Sequence, residues 1–340
     1  MSQPEYVIPK GSIILVTGAN GYIASHIIDI LLEIGFKVRG TVRSEKPWLD
    51  KLFSERHGKG KYHSVVVPDL SIEGAYDQAI KDVAAVAHVA SDVSLSADPN
   101  EVIPKVVNLA INALTAASKE SSVKRFVLTS SAAATYIAVP ENQNVIVDET
   151  SYNDSAVKSA WDDNTAPELK PFYNYAASKT ESERESWKWV NENKPGFIFN
   201  SVLPGFNMGT ILHSEQTAST MGVTRNLLKG DPTVRSIFAP EYFIDVRDTA
   251  RLHIAALLDS SIKDERIFGS VQDFNWTYVD TVLRKLRPNN KNIPEAPADD
   301  WRDKTVIKPM GRAEEILKSF WGKTWTGFEE SLSDGIAGWD

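Results

Sequence analysis

Thr17-Gly18-Ala19-Asn20-Gly21-Tyr22-Ile23-Ala24-Ser25-His26-Ile27 decides the fold, because it joins the first apolar run of the chain to its first amphipathic stretch. Ile13 to Val16 is a short β-branched run between Gly11 and Gly18, and apolar residues then recur at Ile23, Ile27, Ile30, Leu31 and Ile34. That pattern predicts strand, tight turn, helix. Glycines at 18 and 21 let the backbone approach a pyrophosphate, and the free N–H groups of Tyr22 and Ile23 at the helix start bind its negative charge. Asn20 lies within the same turn. The spacing is G-x-x-G-x-x-A; taken alone, such a turn could also be only a tight connection.

The 340 residues suffice for one large α/β domain, or for a core domain with a smaller lobe. Hydrophobic content of 42% and charged content of 24% are those of a globular chain, which excludes disordered and fibrous classes. No apolar run approaches a membrane span, and Met1 to Gly11 has no basic segment followed by an apolar core, so the expected compartment is the cytoplasm. The absence of cysteine excludes disulfides, thiolate metal sites and cysteine nucleophiles. A net charge of −8 without Lys/Arg clusters argues against nucleic acid. The six histidines are scattered without ligand spacing, so no metal is expected. All tryptophans but Trp48 lie beyond residue 160, which suggests a bulky apolar lobe there.

Strands are expected at 37–43, 64–67, 83–90, 125–128 and 197–203, with helices between them at 75–81, 100–119 and 173–193. Strands alternating with helices predict a doubly wound parallel sheet of the Rossmann kind. Its carboxyl edge then gathers Gly18, Arg43, Asp69, Ala90 and Ser131 where ligands bind in such folds. The second strand ends Thr41-Val42-Arg43-Ser44 with no carboxylate until Glu45. An acid there would hold a ribose hydroxyl, whereas an arginine suits a 2′-phosphate, so NADP(H) is expected, with Lys46 and Lys51 as further cations. Asp69 and Leu70 could meet an adenine ring, or Asp69 could cap the helix at 75–81. His88, on an apolar strand, reads as a core residue. The stretch 139–171 reads as loop. Residues 1–203 are expected to form the dinucleotide domain and 204–340 mainly a substrate lobe, with 240–271 returning to the core sheet.

Tyr175 and Lys179 stand four apart on one helix face, and Ser131 ends the neighbouring strand. A phenol, with an unperturbed pKa of about 10, becomes a better proton donor beside a positive charge. A serine hydroxyl can polarise a carbonyl oxygen. Joined with Val16 to Gly21, Val38 to Arg43, Phe126 to Ser131, Tyr175-Ala176-Ala177-Ser178-Lys179, Val202-Leu203-Pro204 and Phe243 to Asp248, this trio resembles the extended short-chain dehydrogenase/reductase family. Within it, the chain is most similar to the dihydroflavonol-reductase-like group and its yeast and fungal NADPH-dependent carbonyl reductases. Ala24 departs from the usual third glycine.

The resemblance implies hydride transfer from NADPH to a ketone, aldehyde or keto ester, with Tyr175 as acid, Lys179 as its tuner and ribose ligand, and Ser131 as carbonyl anchor. It implies Val89, Ala90, Ser91 and Thr129 along the cofactor channel, Pro204 and Phe206 near the nicotinamide, and Asn108 or Asn112 as a proton-relay asparagine. Val93, Thr135, Phe206, Met208, Thr224 and Arg225 are the expected substrate contacts, Arg225 toward an ester or carboxylate. The expected partner is a small carbonyl compound, and the chain a monomer or homodimer. Two other readings stand beside this one: a nucleotide-sugar epimerase or dehydratase, for which an acid at the second strand end would be expected, and a non-catalytic NADP-binding regulator, which would have lost part of the trio.

Overall fold

The computed structural model describes residues 6–141 and 144–339. Its centre is a seven-stranded parallel sheet in the order β10-β7-β5-β4-β1-β2-β3. The elements that build and cover it run, in chain order, β1 (Ile13–Val16), α1 (Tyr22–Glu33), β2 (Lys37–Val42), α2 (Pro47–His57), β3 (Tyr62–Val66), β4 (Val83–His88), α3 (Pro99–Lys119), β5 (Arg125–Thr129), β6 (Ile146–Val147), α4 (Asp154–Trp161), α5 (Lys170–Asn193) and β7 (Ile198–Pro204). There follow β8 (Phe206–Met208), α6 (Ser219–Thr224), α7 (Thr233–Ile237), β9 (Tyr242–Asp245), α8 (Val246–Leu258), β10 (Arg266–Gly269), β11 (Gln272–Asp273), α9 (Trp276–Leu286), β12 (Val306–Ile307), α10 (Met310–Trp321) and α11 (Phe328–Gly335).

Alternation along the strands sends side chains to two opposite cores. Ile14, Val16, Ala85, Ala87 and Val127 join α1, α8 and α10 on one face. Leu15, Val86, Phe126 and Leu128 join α3 and residues of the α5 face on the other. The chain winds from β1 outward to β3 and then returns to place β4 on the other side of β1. The crevice between β1 and β4 is therefore the topological switch point, where the carboxyl ends leave room for a ligand.

A third core, built on Phe206, Phe243, Phe274, Trp276 and Phe328, fills the second half of the chain. It covers the small sheet β11-β9-β8. These strands and β6 and β12 are two to four residues long, too short for an alternation to show in sequence. The helix expected at 75–81 is instead a series of turns that closes at Asp82 with φ +61°. The expected loop 139–171 carries β6 and α4. Asn153 caps α4 through Ala156 N–H and donates to the Ala133 carbonyl, which ties this stretch to the end of β5. Among the described residues no helix is long and apolar enough to cross a membrane.

Candidate active site

The turn after β1 is held by its neighbours. Gly18 N–H donates to Thr41 Oγ1 at 3.2 Å, Ala19 N–H to the Thr41 carbonyl at 2.9 Å, and Gly21 N–H to the Gly18 carbonyl at 2.8 Å. Gly18 has φ +66°, and a Cβ there would stand 3.1 Å from Ala90 Cα; one on Gly21 would stand 3.0 Å from the Gly18 carbonyl oxygen. Only glycine lets the strand-β4 end lie this close beneath the turn. The first helical hydrogen bond runs from Ser25 N–H to the Gly21 carbonyl, so the N–H groups of Tyr22, Ile23 and Ala24 precede the ladder and face an incoming anion. The Tyr22 side chain itself is buried and donates to the Gly209 carbonyl at 2.7 Å. Asn20 and Gly21 carbonyls receive Gln216 Nε2 at 3.4 and 3.3 Å. The chain after β8 thus folds over the turn, a contact that no sequence spacing announces.

Around the crevice, Thr17 Oγ1 accepts from Val89 and Ala90 N–H at 3.0 and 2.9 Å and meets His88 Nδ1 at 3.1 Å. Because Thr17 Oγ1 already receives two donors, its proton goes to Nδ1, and His88 carries its own on Nε2. Burial pushes His88 down to about 3, so it is a neutral core residue. Ser91 Oγ is buried and has no partner. Arg43 follows the last residue of β2, exposed, while Lys46 is half-buried and Lys51 pairs with Glu55 at 3.8 Å. Asp69 accepts from the Ser71 N–H and hydroxyl at 2.8 and 2.6 Å, closing a turn where one of its two readings has it capping a helix. The Leu70 side chain packs in the core with Tyr76 and Ile80. The glycine cradle, the helix-start donors, the orphaned Ser91 hydroxyl and an arginine that among the described residues forms no ion pair suit a phosphorylated dinucleotide.

Ser131, Tyr175 and Lys179 come together at the same edge. Ser131 ends the chain's exit from β5 and accepts from Ala133 N–H at 3.2 Å, opening a 3-10 turn over Ala132–Ala134. Its hydroxyl lies near enough to the Tyr175 phenol to act on it. Burial holds that phenol above its ordinary value; the Ser131 hydroxyl pulls it down and the Glu241 carboxyl pushes it up. Lys179 Nζ donates to the Thr129 carbonyl at 2.7 Å, and burial brings its ammonium down to about 8 against the opposing pull of Glu183. Through the bond to Thr129 the ammonium is fastened to the end of β5.

Behind the trio lies a buried polar layer that the sequence reading missed. Glu183, fully buried one turn beyond Lys179, accepts from Ser130 at 2.8 Å, Ser201 at 2.6 Å, and Arg266 Nε and Nη2 at 2.9 and 3.0 Å. The i, i+4 spacing of Lys179 and Glu183 was the available signal. Thr129 Oγ1 meets His253 Nε2 at 2.7 Å, and His253 Nδ1 meets the Thr249 carbonyl at 2.7 Å. A carbonyl only accepts, so Nδ1 carries the proton and Nε2 takes that of Thr129. Burial lowers His253 to about 4.

The expected substrate contacts divide. Val93 is exposed. Thr135 donates to the Ala132 carbonyl at 2.7 Å and Thr224 to the Thr220 carbonyl at 2.8 Å. Phe206 and Met208 are core residues; the Phe206 ring lies 5.2 Å from those of Phe238 and Phe274. Arg225 is tied to the C-terminal segment: its Nε donates to the Gly335 carbonyl and its guanidinium lies 5.2 Å over Trp339. Of the two asparagines, Asn108 is exposed and Asn112 donates to the Ser71 carbonyl at 2.7 Å, neither bonded to the trio. Close to Ser131 and Tyr175 opens a small cleft of about 20 Å³ lined by residues that include Ala132, Ala133, Tyr136, Phe172, Pro240 and Glu241.

Similarity to known proteins extends over nearly the whole chain. A ketoreductase of Aspergillus novofumigatus, nvfG, is 42% identical over 339 residues, covering 99% of both chains. Aldehyde reductase 2 of Sporidiobolus salmonicolor is 40% identical and covers 96% of each. The crystal structure of the yeast methylglyoxal/isovaleraldehyde reductase Gre2 complexed with NADPH superposes with a TM-score of 0.80 at 25% identity, over 96% of this chain and 97% of that one. The profile of the NAD dependent epimerase/dehydratase family matches residues 14–268. With three quarters of its length inside that profile and relatives this similar over their whole length, the chain belongs to the NAD dependent epimerase/dehydratase family.

Proposed function

We propose that this protein is an NADPH-dependent reductase of ketones, aldehydes or keto esters. The observation that carries the reading is the Ser131–Tyr175 hydroxyl pair, with the buried Lys179 one helical turn along, at the sheet edge that also bears the glycine cradle. NADPH, when bound, supplies the hydride that goes to the carbonyl carbon. Gly18, Gly21 and the Tyr22 and Ile23 N–H groups hold the pyrophosphate, Arg43 the 2′-phosphate, and Ser91 and Lys179 the channel toward the nicotinamide. Ser131 and Tyr175 both donate to the substrate oxygen, which polarises the carbonyl. As negative charge gathers on that oxygen, the phenolic proton of Tyr175 moves to it and the alcohol forms. The Lys179 ammonium, in a dry site, stabilises the phenolate left behind. The names of the ketoreductase and aldehyde reductase relatives support the same chemistry, and Arg43 in place of an acid argues against tightly held NAD and nucleotide-sugar chemistry.

The test is direct. Purified protein with NADPH and ethyl 4-chloroacetoacetate, or an aryl ketone, should oxidise the cofactor; no turnover across a broad carbonyl panel overturns the reading. Tyr175→Phe should lose at least a hundredfold in turnover with NADPH binding retained, and a fully active variant would show that the proton donor lies elsewhere.

A further inference from the structure

The cleft beside Tyr175 is built almost entirely from apolar and aromatic side chains. Phe172 lies 6.1 Å, ring to ring, from Tyr175 and meets Phe238 edge-on at 6.0 Å, and Ala132, Ala133 and Pro240 complete the walls. One lining residue breaks this pattern. Glu241, in the turn between α7 and β9, is half-buried. Its backbone carbonyl is used, accepting from Phe274 N–H at 2.9 Å, but among the described residues its carboxyl group forms no hydrogen bond or ion pair. A carboxyl left unpaired on a cleft wall is available to whatever enters the cleft.

The groups that face it sharpen the point. From the stretch after the 3-10 turn comes Tyr136, whose hydroxyl is already committed to Asp303 Oδ2 at 2.7 Å. From α5 comes Tyr175, whose phenol feels the Glu241 charge. From β9 comes Tyr242, which donates to the Thr305 carbonyl at 2.9 Å. From the segment before β12 comes Asp303, a second acid, buried. This set holds two carboxyls, three phenols and no arginine or lysine. Burial and Asp303 together push Glu241 up to about 8.

We propose that Glu241 is a specificity-determining residue of the carbonyl site, excluding anionic carbonyl compounds such as keto acids in favour of uncharged keto esters and ketones. This rests on the carbonyl-reductase reading and adds the substrate class to it. An incoming carboxylate would lose its water in an apolar cleft and meet acids on its wall, while the Lys179 ammonium is held by the Thr129 carbonyl; an ester of the same skeleton loses little. The discrimination strengthens as Glu241 ionises.

The experiment compares ethyl 3-oxobutanoate with 3-oxobutanoate. In the wild type, the ester-to-acid ratio of kcat/KM should rise as pH increases from 6.5 to 9, through the ionisation of Glu241. Glu241→Gln should lower that ratio at pH 9 by at least fivefold and flatten its pH dependence, and Glu241→Asp should restore both. A ratio that moves less than fivefold in Glu241→Gln, or that still rises with pH, overturns the proposal. The corresponding 3-hydroxy ester and 3-hydroxy acid, titrated calorimetrically into the NADP-loaded protein, read the same preference without turnover. If neither carbonyl compound is reduced, the reductase reading fails, while the binding ratio of these alcohols, moving or not in Glu241→Gln, still decides the role of Glu241.

Discussion

The Lys179 ammonium lies 2.7 Å from the Thr129 carbonyl oxygen, and through that bond the middle of α5 is fastened to the end of β5. The same ammonium is a buried cation beside the Ser131–Tyr175 pair, brought down to about 8 by burial. Its ionisation sets the upper limit of the working range. In the wild type, kcat/KM should fall as pH rises through about 8, because the neutral amine no longer stabilises the phenolate; Lys179→Met should be at least a hundredfold slower throughout.

The same shift has the opposite sign in stability. An amine that titrates at about 8 in the folded chain and at 10.5 when unfolded leaves the unfolded state holding more protons between those values. Wild-type stability, referenced to Lys179→Met, should therefore increase from pH 8 to pH 10, by about 2 kcal/mol on the scale of 1.4 kcal/mol per unit. Urea denaturation of both proteins at the two pH values checks this, and a decrease would show that the ammonium is not desolvated.

Glu183 is where a single change should cost the most in stability. It is fully buried and takes two hydrogen bonds from Arg266, itself stacked 4.2 Å over the Tyr152 ring and donating to the Glu149 and Ser151 carbonyls. Glu183→Ala strands a buried guanidinium and two serine hydroxyls, a loss of about 3–5 kcal/mol. Glu183→Gln keeps an acceptor for Ser130, Ser201 or Arg266 and should lose less. Denaturant midpoints of the two variants rank them, and equal midpoints would mean that charge is unimportant in this cluster.

These residues mark how far the sequence could be read. The turn at Gly18 and Gly21, the alternation of Ile14 and Val16 against Leu15, and the i, i+4 pair Tyr175/Lys179 are local patterns, and each lies on the element expected of it. Glu183 with Arg266, and Thr129 with His253, pair residues 83 and 124 positions apart; no local period encodes them, since they arise only once α5 and α8 pack on the strands of the sheet. The substrate side was least legible. Met208 and Thr224 have the composition of a ligand wall but face a core, while Glu241, an ordinary acid after a proline, is the residue on the cleft. Arg225 reads as a free cation until α11 arrives more than a hundred residues later to bond it.

Gly18 offers a test of the cradle that does not depend on turnover. With φ +66° and only 3.1 Å from a new Cβ to Ala90 Cα, Gly18→Ala combines about 1–2 kcal/mol of left-handed strain with a contact that must push β4 away. NADPH affinity, measured by fluorescence, should fall about tenfold or more, together with a lower denaturation midpoint. Unchanged affinity would mean that the turn is only a connection.

Arg43 separates cofactor selectivity from stability. It stands exposed just past β2 and among the described residues forms no ion pair or hydrogen bond, while the carboxylate that would favour a ribose hydroxyl is absent from the strand end. Removing it therefore disturbs nothing in the folded chain, and Arg43→Ala should leave the denaturation midpoint within error. A charge-assisted contact to a 2′-phosphate contributes about 1.5–3 kcal/mol, so affinity for NADPH should drop roughly 10- to 150-fold while NADH binding stays nearly constant. An equal loss for both cofactors would place the 2′-phosphate elsewhere, with half-buried Lys46 at the start of α2 as the next cation along the same edge.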